Sequence, residues 1–129
     1  MRRLAAALAI SIAAAGSASA SGSLECTAPD ADVSVKLTIG SLPVLAVVGA
    51  EIEANGARWA LDGDGESAIA VGQAFRDRGA LRVDFTDPNV ERVVAELRLF
   101  SAAEERNMAT AGTLRITGEG AWALTCTGP

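Results

Sequence analysis

The chain has 129 residues, 16 of them acidic and 11 basic, a net charge of −5, and neither histidine nor tyrosine. Without histidine, a His-based catalytic triad, a His–Cys dyad and the usual zinc sites are excluded. The acidity and the dispersed arginines disfavour nucleic acid or an anionic membrane surface, and are compatible with a basic protein partner.

Arg2 and Arg3 precede an apolar run from Leu4 to about Ala15, and Ala18-Ser19-Ala20 fits a small-residue cleavage pattern. Residues 1–20 read as a cleaved secretory signal peptide whose apolar part is too short to span a membrane. Residues 21–129 then form a single β-rich domain in the periplasm or outside the cell. Losing the two leader arginines takes the net charge from −5 to −7. Cys26 and Cys126 are the only cysteines. In an oxidising compartment such a pair is expected to form a disulfide, here joining the two ends of the domain.

Ser21–Glu25 is expected to be a mobile lead-in, followed by a turn over Ala28–Asp32. Val33, Val35, Leu37 and Ile39 alternate with Ser34, Lys36 and Thr38, the cleanest strand pattern in the chain. Val44–Val48 is a continuous apolar run and is expected to be a buried strand. Asn55-Gly56 predicts a tight hairpin, with Arg58–Leu61 returning antiparallel.

Asp62, Asp64 and Glu66 place three carboxylates at alternate positions, weak candidates for a calcium site. The EF-hand pattern is not met, because its twelfth position would fall on Gln73. A turn between strands is the preferred reading. A short strand is expected over Ser67–Val71, and a helical turn or wide loop over Gln73–Gly79. Leu81, Val83 and Phe85 then alternate as a strand that Asp87-Pro88-Asn89 breaks.

The stretch 88–105 is ambiguous. Asp87 before Pro88 suits a helix cap, and Ala102-Ala103-Glu104-Glu105-Arg106 are good helix formers. Val93, Val94 and Phe100 favour strand. One helical turn near 88–92 followed by a strand over 93–100 is the expectation, with a continuous helix over 88–105 as its rival. Asn107–Gly112 is expected to be a connection. Leu114 and Ile116 then form one face of a strand, Gly118-Glu119-Gly120 a turn, and Trp122, Leu124 and Cys126 the inner face of the closing strand.

The predicted fold is mainly β: one antiparallel β-sandwich or small β-barrel with one short helix near 88–105 as an option. No cofactor, phosphate-loop or dinucleotide motif is present. The carboxylate pairs Asp84/Asp87 and Glu104/Glu105 read as solvated faces, Trp59 and Trp122 as core. Phe75, Arg76, Arg78 and Phe100 are the candidate protein contacts, an aromatic–arginine mix of the kind found at interface hot spots.

Export, size, acidity and β-rich pattern resemble, in general form, the small periplasmic inhibitors of lysozyme. Val48-Gly49-Ala50 and Asn55-Gly56-Ala57-Arg58-Trp59 are a faint echo of their motifs. Tyrosine is missing and no lysine follows Lys36, so neither membership nor any residue role is carried over. The expected function is non-enzymatic protein binding, an inhibitor of a basic hydrolase being its most concrete form, or a role in the cell envelope. The alternatives are a small-ligand or weak calcium-binding module and, last, a small carboxylate-dependent hydrolase.

Overall fold

The computed structural model describes residues 22–128. The signal peptide assigned to residues 1–20 lies outside them. Nine strands follow in chain order: β1 (Gly22–Thr27), β2 (Val33–Ile39), β3 (Val47–Ala54), β4 (Ala57–Ala60), β5 (Ala70–Asp77), β6 (Ala80–Thr86), β7 (Val93–Glu104), β8 (Asn107–Ile116) and β9 (Gly120–Thr127). They form one sheet in the order β4-β3-β2-β1-β9-β8-β7-β6-β5.

Two meanders, β1–β4 and β5–β9, therefore meet where β1 pairs with β9. Every neighbouring pair is antiparallel. With nine alternating strands, the two edges, β4 and β5, must run the same way. The chain between them stays close to β4: Ala68, just ahead of β5, makes a single parallel bridge with Ala60, and the Ile69 amide donates to the Ala60 carbonyl at 3.1 Å. The sheet thus curls into a half-barrel around one core.

Alternation puts the core where period-two patterning requires. Val35, Leu37, Ile52, Val83, Phe85, Leu97, Leu99, Leu114 and Leu124 are fully buried. Trp59, Trp122 and Cys126 are half-buried against them. Cys26 and Cys126 sit directly opposite each other across β1 and β9, 4.0 Å apart at Cα, and are bonded. Only Glu25–Thr127 and Thr27–Thr125 flank that pair in the β1–β9 ladder, so the disulfide clasps the narrow junction between the meanders.

The alternating directions separate two ends. The β1–β2, β3–β4, β6–β7 and β8–β9 turns gather at an upper end. The β2–β3, β5–β6 and β7–β8 connections gather at a lower end, with the start of β1 and the end of β9. At the upper end, Asn55 (φ 53°) and Gly56 (φ 77°) form the expected hairpin turn.

Several expectations are corrected. No α-helix forms among the described residues; their one helical feature is a 3-10 turn over Gly65–Ser67. The optional helix near 88–105 is absent. Residues 88–92 form a loop in which Val90 has φ 59°, a conformation that cannot propagate a right-handed helix. The strand β7 then starts at Val93 and runs on to Glu104, because its inner residues Ala95, Leu97 and Leu99 are buried and β8 pairs with it throughout. The same pairing makes Asn107–Gly112 part of β8 rather than a connection. Gln73–Gly79 is mostly strand β5, aligned by β6. Ser21–Glu25 is not a lead-in over its described part, since β1 begins at Gly22 and pairs with β2. Val44–Val48 is not a buried strand: β3 begins only at Val47, and Leu45 and Val47 pack on the core while Val44 and Val48 are exposed.

Candidate functional site

The half-barrel offers an outer face over β5–β7 and a cavity at each end. On the outer face, register sets lateral rows of side chains. Phe75, Arg82, Arg98 and Thr113 form one row, and Asp77, Ala80, Phe100 and Ala111 the next. Phe75 is 57% exposed and Phe100 61% exposed. Arg82 stands beside Phe75 and makes no salt bridge among the described residues. Arg98 is held by Asp84, at 2.7 Å but without hydrogen-bond alignment, and by Glu96 at 3.5 Å. Arg115 also pairs with Glu96.

The four candidate contacts of the sequence reading therefore divide. Phe75 and Phe100 share the outer face. Arg76 alternates to the inner side, laterally next to Leu81, and Arg78 lies in the β5–β6 turn; both line the lower cavity. The arginines that accompany the aromatics are Arg98, two residues before Phe100 on the same strand, and Arg82, which only strand register places beside Phe75.

The upper cavity has a volume of about 670 Å³. Trp59, Ser67, Asp87, Arg92, Thr117 and Glu119 are among its lining residues. Asn55 Nδ2 donates to Glu119 Oε2 at 3.2 Å, tying the β3–β4 turn to the β8–β9 turn. Asp87 shapes the opposite rim. Its Oδ1 accepts the amides of Glu91 at 2.8 Å and Arg92 at 2.9 Å. These bonds, that of Arg92 foremost, hold the Asp87 carboxyl below its ordinary range. Asp84 and Asp87 thus have separate structural partners, Arg98 for the one and the Glu91 and Arg92 amides for the other.

Asp62, Asp64 and Glu66 do not assemble into a ligand set. Among the described residues, no group of three potential ligands comes together to hold a metal. Asp62 lies 3.9 Å from Arg58, and the Asp64 carbonyl accepts the Ser67 amide in the 3-10 turn. Arg58 also binds Glu51 at 2.8 Å, a hydrogen bond that lowers the Glu51 pKa and raises that of Arg58.

The sequence reading missed the projecting ribbon at the lower end. Phe100 is the last β7 residue paired with β6, and Thr110 the first β8 residue paired with β9. Beyond the Ser101–Thr110 pair, Ala102–Glu104 and Asn107–Ala109 pair only with each other within the sheet. Glu104 and Glu105 sit at its tip, exposed. The alternation of small and polar residues there is too weak a signal to separate ribbon from helix.

Comparison with protein-family models, curated proteins and solved structures gives no match.

Proposed function

We propose that this chain is an exported, non-enzymatic protein-binding module whose contact surface is the outer face of β5–β7. The observation that carries this reading is the exposure of Phe75 and Phe100 on one rigid face, with Arg82 between their strands. Aromatic and arginine side chains are the residues that most often dominate binding energy. A sheet holds them in fixed positions, so little conformational freedom is lost on contact. The leader pattern and the single disulfide support a periplasmic or secreted location. The net charge of −7 without the leader favours approach of a basic protein, and a basic hydrolase is the most concrete partner of that kind.

The test uses the immobilised processed protein in a soluble envelope extract. The wild type is expected to retain a stoichiometric partner, and a Phe75→Ser/Phe100→Ser double variant to lose it with the melting temperature unchanged. Equal retention by the variant would sink the assignment of the face.

A further inference from the structure

The lower end contains an apolar hollow with a cationic rim. Its volume is about 220 Å³. Leu24, Ile39 and Leu99, all buried, form its floor with half-buried Leu81, and Met108 stands exposed at its edge. Arg76 and Arg78 line the same hollow. Neither makes a salt bridge among the described residues, as is also true of Arg82, Arg92 and Arg106. Asp77 lines the same hollow, and its Oδ1 accepts the Arg78 amide at 2.6 Å. The hydroxyls of Ser101 and Thr110, also at this mouth, bond to each other at 2.8 Å.

We infer that this mouth binds a medium-chain aliphatic carboxylate, with the carboxylate on Arg76 and Arg78 and the chain over Leu24, Ile39, Leu81 and Leu99. An inward-pointing charge on an edge strand is a known guard against edge pairing, and Arg76 serves that role on β5. Arg78 lies beyond the strand and the guard does not require it. Two guanidinium groups over an apolar floor complement a ligand with one anionic end and one hydrocarbon end. Guanidinium pairs with carboxylate in two parallel hydrogen bonds, and each methylene taken from water adds to affinity. The small volume selects a medium chain over a long one. Mouths of β-barrels are recurrent places for such ligands.

Calorimetric titration of the purified protein below micelle-forming concentrations tests the assignment. Decanoate is expected to bind at one site, with affinity rising about three- to fourfold per methylene from hexanoate to decanoate. Decanol and inorganic phosphate are each expected to bind at least tenfold more weakly. An Arg76→Gln/Arg78→Gln double variant is expected to lose at least tenfold for decanoate while its ligand-free melting temperature stays that of the wild type. Absence of binding, equal affinity for decanol, no dependence on chain length, or an unchanged affinity in the variant would each overturn the inference. A peptide ending in a free leucine carboxylate serves as the last arm. Tighter binding of that peptide than of decanoate would assign the mouth to a protein terminus and overturn the lipid reading.

Discussion

Asp87 works in this fold as a cap without a helix. Its side chain closes the β6–β7 loop by accepting two amides, while its own carbonyl accepts the Val90 amide at 2.9 Å. Because its folded pKa is depressed, its contribution is present above the unfolded carboxyl pKa of about 4 and is lost as pH falls through the lower folded value. Asp87→Ala should therefore lower the melting temperature at pH 7, and the difference from wild type should shrink in melts at successively lower pH below about 4. Val90, three residues on, holds a left-handed backbone on an exposed β-branched residue. Such a conformation costs roughly 1–2 kcal/mol on a non-glycine residue. Val90→Gly should raise stability by about 1 kcal/mol in urea unfolding, once the greater unfolded-state freedom of glycine is offset against that strain.

At the scale of the element, strand periodicity decides which side chains can act together. Val33 to Ile39, Leu81 to Phe85 and Leu114 to Ile116 are legible in the sequence because alternation is local. The same rule separates Phe75 from Arg76, which residue order alone groups together. Strand β8 carries the sharpest constraint on curvature. Gly112 faces inward between Leu99 and Leu124, and a Cβ there would collide with the Arg98 carbonyl oxygen. Glycine inside a strand marks such a close backbone approach. Gly112→Ala is expected to destabilise the protein by about 1–3 kcal/mol, measured by chemical unfolding. Gly118→Ala bears on a turn with nothing within 4 Å of the added Cβ but a φ of 80°, so its penalty is local backbone strain alone. The β7–β8 ribbon shows the limit of local propensity: good helix formers are drawn into strand because the preceding half of β7 is already committed to the core.

For the whole molecule, the disulfide and the β1–β9 ladder are complementary. The two meanders are joined in the sheet by the three-pair β1–β9 ladder with its crosslink, while their far edges, β4 and β5, do not pair with each other. The crosslinked cysteines are 100 residues apart, a separation for which chain entropy assigns about 4–5 kcal/mol. That is comparable with the net stability of a small domain. A Cys26→Ser/Cys126→Ser variant should show a large fall in melting temperature and in denaturant midpoint; unchanged values would refute a clasping role. The cysteine pair, the inner faces of most strands and the Asn55-Gly56 hairpin are readable from the residues alone, since they follow from composition, period-two spacing and local backbone preference. Strand order, the β1–β9 junction, the fate of residues 88–109 and the sorting of Phe75, Arg76, Arg78 and Phe100 between outer face and lower mouth emerge only in the folded chain. Each of those depends on which distant strand supplies the neighbouring hydrogen bonds, and no local pattern carries that information.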